Sequence, residues 1–204
     1  YEIVDCDWSS DVCSSDLIPI KYYITNLNGT MNVINKVKTK NFIFASTGAA
    51  QDCNSAYAIS KRAAEDVVRE YCTQHNKKDY TIFRFYNVVG SDGYEPTNPD
   101  GLMWKLMEAQ ETGSFTIYGN DYSESWDGTC VRDYVHVVDI VDAHILALDT
   151  KTPAGIYNLG TAAGASNLEV VKTAAHVVGN DIAMVYGPKR EGDPAMLTAD
   201  STKF

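Results

Sequence analysis

The sequence predicts an α/β fold: a doubly wound parallel sheet with a smaller α/β domain interleaved into it. Short, apolar, β-rich runs alternate with longer segments of helical periodicity, and that rhythm gives a parallel sheet covered on both faces. The rhythm breaks after Gly90, yet no linker follows, so the second domain is interleaved with the first. The 204 residues, 45% apolar and 22% charged, suffice for one large domain or two small ones.

The elements follow in order. Residues 2–5 read as the end of a buried strand. Residues 21–37 read as a helix with Tyr22, Leu27, Val33, Ile34 and Val37 on one side. Residues 41–46 form a short apolar strand. Residues 56–75 form a long helix, with Ala63, Ala64, Val67, Val68 and Tyr71 at helical spacing. Residues 81–88 are the next strand. The Gly-, Pro-, Asn- and Asp-rich stretch 91–101 is a loop. Beyond it come a helix over 102–111, a strand over 115–118, a polar loop over 120–128 and a strand over 130–137. A helix over 138–149 packs Ile140, Val141, His144, Ile145 and Leu148 inward. The pattern closes with a strand at 155–159, a helix at 167–178 and a strand at 182–186. Residues 1–90 belong to the sheet domain and 91–204 mainly to the smaller one, with 130–160 partly returning to the sheet.

Bulk composition excludes several classes. The net charge of −10 argues against a nucleic-acid or anionic-membrane surface. Five cysteines, an odd number with no Cys-x-x-Cys pair, argue against a disulfide framework or zinc knuckle and for a reducing, cytoplasmic setting. His75, His136, His144 and His176 make no recognisable metal-ligand cluster, so no metal is expected. No apolar run is long enough to span a bilayer, and no signal peptide is visible. The Ser/Asp-rich stretch 9–17 is either a polar loop or foreign to the protein.

The strongest chemical clue is Tyr57 and Lys61, just after a strand ending Ala45-Ser46-Thr47. Residues four apart on a helix share a face. An ammonium near a phenol favours the phenolate and lowers its pKa from about 10 toward neutral. With the Thr47 hydroxyl nearby, the three make a general acid/base for an alcohol–ketone interconversion. The pair alone is a weak signal, since tyrosine and lysine at this spacing are common.

The company it keeps is more specific. Tyr22-Tyr23-Ile24-Thr25-Asn26-Leu27-Asn28-Gly29-Thr30 precedes it. Arg84-Phe85-Tyr86-Asn87-Val88-Val89-Gly90 and Tyr118-Gly119-Asn120-Asp121-Tyr122 follow, then Asp127-Gly128-Thr129-Cys130-Val131-Arg132-Asp133-Tyr134-Val135-His136-Val137. Tyr157-Asn158-Leu159-Gly160-Thr161 and Arg190-Glu191-Gly192-Asp193 complete the series. From Pro19 to Lys203 the chain resembles the extended short-chain dehydrogenase/reductase family, and within it the UDP-glucose 4-epimerase-like branch.

The resemblance implies a Rossmann-like sheet, NAD as cofactor and a UDP-sugar as substrate, epimerised at C4 through a transient 4-keto intermediate. It implies that Tyr57 takes the proton from the 4-hydroxyl, that Lys61 holds the nicotinamide ribose and keeps Tyr57 acidic, and that Thr47 hydrogen-bonds the 4-oxygen. Asn26 and Tyr86 would lie at the cofactor and Asn87 at the sugar nucleotide. Arg132 and Arg190 would clamp the diphosphate, as the guanidinium fork suits. Tyr118 would pack against uracil, Asp193 bind the ribose, and Leu197 line the sugar pocket. The full-length protein is expected to be a homodimer. For Arg132 the alternative is a pair with Asp133; for Tyr118 and Leu197 it is simple packing.

The chain also departs from that family. The Gly-rich dinucleotide turn is absent, so the chain reads as an N-terminal truncation lacking the first βαβ unit, with weak affinity for NAD on its own. The segment between Thr47 and Tyr57 is short, and Gly101 stands where a sugar-contacting Asn is common. The sugar is therefore open: another nucleotide-sugar epimerase, acting on N-acetylhexosamines or uronic acids, is the runner-up. A 4,6-dehydratase is less favoured because Gly48-Ala49 replaces Asp-Glu after the threonine. A non-catalytic, truncated sugar-nucleotide-binding protein is the alternative of another class.

Overall fold

The computed structural model describes residues 18–74, 79–91, 93, 101–149, 152–190 and 192–204. The strand expected over 2–5, the stretch 9–17 and most of the loop over 91–101 lie outside them. The first helical stretch runs through Pro19–Tyr22 (α1), a π-helical segment Tyr23–Asn28 and Gly29–Lys36 (α2). Strand Asn41–Thr47 (β1) leads through a 3₁₀ turn, Gly48–Gln51, to the long helix Ala56–Gln74 (α3). Then come Asp79–Phe85 (β2), Asn87–Val89 (β3), Leu102–Thr112 (α4) and Ser114–Tyr118 (β4). Val131–His136 (β5) runs directly into Val137–Asp149 (α5), followed by Gly155–Leu159 (β6) and Gly164–Ser166 (β7). Asn167–Val178 (α6), Ala183–Gly187 (β8) and Met196–Leu197 (β9) end the series.

β2 lies between β1 and β6, parallel to both. Its residues alternate between two cores, as a pleated strand buried on both faces requires. Phe83 and Phe85 join Tyr157, Leu159 and the inner side of α5. Ile82 faces the other way, onto Ile34, Val68 and Cys72 of α2 and α3. A third core gathers Leu106, Ala109, Ile117, Val171 and Ile182 from α4, β4, α6 and the approach to β8, with β4 and β8 paired in parallel.

Four expectations need correction. The strand expected over 81–88 is two strands, broken at Tyr86. β2 stays with β1 and β6, whereas β3 leaves to pair with β5. In α5, Ile140 and His144 face inward with Ala143 and Ala147, but Val141, Ile145 and Leu148 are 50%, 51% and 62% exposed. The small alanines let the helix lie close to the sheet, and the bulky residues fall on its outer side. Val33 and Val37 are exposed while Ile34 is buried. The π-helical segment takes more residues per turn, so the face read from Tyr22 and Leu27 no longer continues into α2. Strands β7 and β9 were not anticipated; both are too short to show a period.

α6 starts at a capping box. Ser166 Oγ accepts from the Glu169 amide (3.0 Å), and the Glu169 carboxylate accepts from the Ser166 amide (2.9 Å). Ser166 Oγ in turn donates to Asp127. The Asp127 carboxylate also accepts from the Thr129 amide (2.9 Å), the Thr129 hydroxyl (2.8 Å) and Ser125 Oγ (3.3 Å). Burial pushes the Asp127 carboxyl up, but Ser166, Thr129 and Ser125 outweigh it and hold it below its usual value.

Two outcomes are expected. Phe83 is fully buried among His144, Tyr157 and Phe204. Phe83→Ala should therefore cost about 3–5 kcal/mol in urea unfolding. Asp127 has a folded-state pKa below its unfolded one, so its stabilisation is complete above about pH 4 and is lost as pH falls through the lowered value. On going from pH 6 to pH 3 the native chain should lose more stability than Asp127→Asn; equal losses would remove Asp127 from the acid response.

Candidate active site

Thr47 is the last residue of β1, at the carboxyl end of the parallel sheet where open α/β folds bind ligands. Its hydroxyl accepts from the Ala49 amide (3.3 Å) as the chain enters the 3₁₀ turn. The next residue must be glycine: a Cβ on Gly48 would stand 2.7 Å from Tyr86 Cζ, so the Tyr86 ring lies directly against the backbone beside Thr47. Tyr86 sits at the break between β2 and β3, tied by its amide to the Leu159 carbonyl (3.3 Å). Burial pushes its phenol pKa up, against the lowering effect of Arg84.

Ser55 opens α3, its hydroxyl accepting from the Ala58 amide (3.2 Å). Tyr57 follows, half-buried, in edge contact with Tyr22 of α1 at 5.7 Å between ring centroids. One turn on, Lys61 is only 5% exposed. Its ammonium donates to the Ala45 carbonyl of β1 (2.7 Å) and lies 4.8 Å from the centroid of the Phe44 ring. Asn26, in the π-helical segment, donates through Nδ2 to Ser60 Oγ (2.9 Å), and Ser60 donates to the Tyr57 carbonyl (2.8 Å). Thr47, Tyr57, Lys61 and Asn26 therefore belong to one joined region built from β1, α3 and the π-helical segment. A phenol, an ammonium and a hydroxyl in that region have the chemistry to move a proton to and from an alcohol.

The remaining site residues gather around β5 and β9. Arg132 Nη2 donates to Asp193 (2.5 Å), and Nη1 donates to the carbonyls of Val131 and Pro194 (2.8 Å each). The partner of Arg132 is thus Asp193 and not Asp133. Leu197 is half-buried and stands opposite Arg132 in the β5–β9 register. Arg190 lies over the ring of Tyr118, its Cζ 4.2 Å from the centroid, a cation–π contact. Asn87 stands opposite Tyr134 in the β3–β5 register.

Three supporting carboxylates were missed in the sequence. Asp133 is fully buried and accepts from the Thr161 amide and hydroxyl (2.7 Å each), the Ala162 amide (2.9 Å) and the Ala199 amide (3.0 Å). It ties the end of β6 and the segment after β9 to β5. Glu65 sits on the buried side of α3, between Ala64 and Val68, and meets Arg84 of β2. Asp127 braces α6, as described above. A charge at an apolar helix position, and an arginine inside the apolar strand Ile82–Phe85, were the available signals for the Glu65–Arg84 pair. Among the described residues no group of His, Cys, Asp or Glu is placed to hold a metal ion.

Comparison with known proteins identifies the family. The model of the NAD dependent epimerase/dehydratase family matches residues 2–160. UDP-glucose 4-epimerase of Lactobacillus helveticus is 38% identical over 211 residues, covering 91% of this chain and 64% of the relative. The enzyme of the same name from Bacillus subtilis is 32% identical, covering 94% and 65%. The crystal structure of UDP-glucose 4-epimerase from Bifidobacterium longum in complex with NAD+ and UDP superposes with a TM-score of 0.84 at 31% identity, over 94% of this chain and 65% of that one. The UDP-Glc/GlcNAc 4-epimerase of Campylobacter jejuni gives a TM-score of 0.71 at 29% identity, over 95% of this chain and 66% of that one. The chain spans a little under two thirds of the length of these curated relatives. With the family model matched along most of its length, and with the parallel sheet and helices of its solved neighbours, the chain belongs to the NAD dependent epimerase/dehydratase family.

Proposed function

We propose that this chain is the proton-transfer and sugar-nucleotide part of a UDP-sugar 4-epimerase that uses NAD. The observation that carries the proposal is Lys61, buried and held on the Ala45 carbonyl one turn from Tyr57, beside the end of β1 that bears Thr47.

The residues present fit the nicotinamide end of such a cofactor. A hydroxyl, a phenol and an ammonium suit ribose hydroxyls and a carboxamide, and the close approach of Tyr86 to Gly48 gives that region an aromatic wall. When bound, NAD would accept the C4 hydrogen of the sugar together with its electron pair, as a hydride, and return it. The chain's own part is the proton. Tyr57 takes it from the 4-hydroxyl as the ketone forms and gives it back as the alcohol re-forms. Lys61 keeps the phenolate accessible by its positive charge. Thr47 hydrogen-bonds the oxygen that changes, and Asn26 steadies α3 through Ser60. Arg132 and Arg190 bind the diphosphate, Tyr118 the uracil, and Asp193 the ribose, with Asn87 and Leu197 toward the sugar. The Arg132–Asp193 pair holds two of these groups together. On the same proposal, residues 91–204 mainly hold the sugar nucleotide, and the full-length protein is a cytoplasmic homodimer.

A second substrate pair is favoured by Leu197. Its half-buried aliphatic side chain cannot hydrogen-bond a sugar, and Gly101 bears no side chain where a sugar-contacting Asn is common. We extend the proposal to UDP-N-acetylhexosamines as slower substrates.

In the full-length protein, Tyr57→Phe should keep the fold and UDP affinity while turnover falls about 10²–10⁴-fold, the usual contribution of a general acid/base. Near-normal turnover would exclude Tyr57 as the proton carrier. Leu197→Tyr should shift the ratio of kcat/KM values toward the non-acetylated pair by about 10–200-fold, the range of a steric gate. An unchanged ratio would remove Leu197 from substrate choice.

A further inference from the structure

We infer that Glu65, Arg84 and Ser46 form a positioning clamp that sets the axial register of α3 on the sheet and thereby holds Lys61 in place for Tyr57. The inference rests on Tyr57 and Lys61 being the proton-transfer pair.

Ser46 and Arg84 stand opposite each other in the β1–β2 register, one residue short of the ends of these strands. Glu65 reaches both from α3. Its Oε1 accepts from Ser46 Oγ (2.5 Å) and Arg84 Nε (2.8 Å), and its Oε2 accepts from Arg84 Nη2 (2.6 Å). Glu65 is 1% exposed, and Ser46 and Arg84 are also buried. A bidentate guanidinium–carboxylate pair fixes direction as well as distance, which a greasy contact does not. Packing of Val68 and Cys72 on Ile82 resists separation of α3 from the sheet but resists sliding far less.

The position of the clamp gives it its role. Glu65 lies one helical turn beyond Lys61, and Ser46 lies one residue beyond Ala45, whose carbonyl receives the Lys61 ammonium. The helix is thus pinned to β1 at two successive points, by Lys61 on Ala45 and by Glu65 on Ser46. A rise of about 1.5 Å per residue means that slippage by a single residue shifts Lys61 and Tyr57 together by that distance relative to the end of β1. A flexible lysine adjusts to small shifts; Tyr57, with two side-chain torsions, does not. None of the three clamp residues occupies the end of β1 where Thr47 stands, so they act through Lys61 and Tyr57 and not on substrate.

The test separates position from stability. Glu65→Asp draws the carboxylate back by one methylene, and Ser46→Ala removes the β1 attachment alone. The pair Glu65→Leu with Arg84→Met replaces the clamp by apolar packing, an exchange that commonly preserves stability. Lysine acylation, mapped by mass spectrometry on the folded chain, reads Lys61 directly against exposed Lys105. We expect Lys61 labelling to rise about tenfold in all three through local opening of α3, with Lys105 unchanged and circular dichroism intact. In the full-length enzyme we expect kcat to fall about 10²-fold with KM little changed, as misplacement of a reacting group by about 1 Å does. Apolar replacement that leaves both Lys61 protection and kcat at native values would overturn the clamp. A native full-length protein without epimerase activity would instead overturn the proposed function, and the labelling result would still report on the clamp.

Discussion

A buried carboxylate must find partners for both oxygens or it forces the structure open. Glu65 meets that demand with Arg84 and Ser46, one group from each of two neighbouring strands. The demand ties α3 to the sheet at a single height, and much of the site depends on that height. Tyr57 and Lys61 stand where they do relative to Thr47 because the helix that carries them cannot slide. Arg84 has its guanidinium pKa raised, chiefly by its hydrogen bond to Glu65 and against burial. Such a pair adds less to net stability than to definition of geometry, because desolvation offsets much of the attraction.

The same device recurs around β5. Asp133 collects backbone amides from two other segments, and Asp193 holds Arg132 beside the carbonyls of Val131 and Pro194. Residues 193–199 are thereby attached to β5 mainly by polar contacts, with only the two-residue strand β9 to add a ladder. Arg132 and Asp193, two of the groups proposed to meet the nucleotide, are thereby held to one another by the chain's own polar contacts.

How much of this was legible in the sequence varied with the kind of signal. The alternation of β-rich runs with helical periods located β1, β4, β5, β6 and β8 within a residue or so, because β-rich composition and the turn residues that flank it are local signals. The inner faces of α2 and α5 were misread. Period alone cannot tell which of two apolar sides faces the sheet when alanines such as Ala143 and Ala147 permit the closest approach. Tyr57, Lys61 and Thr47 were visible because their spacing is local. The Glu65–Arg84 pair and the Asp133 cluster were not, since their partners lie 19 to 66 residues away and no period joins them. The break at Tyr86 was hidden for a related reason: it depends on Gly48, which is distant in sequence and leaves room for the ring.

The π-helical segment Tyr23–Asn28 carries a consequence for how this stretch can change through evolution. The wider turn changes the phase between α1 and α2, so that Tyr22 can meet Tyr57 while Ile34 still enters the core beside Val68. A substitution at most of these positions leaves the phase untouched. Deletion of one residue lets the segment rewind to the ordinary α-helical pitch and turns everything on one side of it by about 100° relative to the other. Either Ile34 or Tyr22 then points the wrong way, and Asn26 loses its line to Ser60. Descent with modification in this helix is therefore free in residue type and constrained in length.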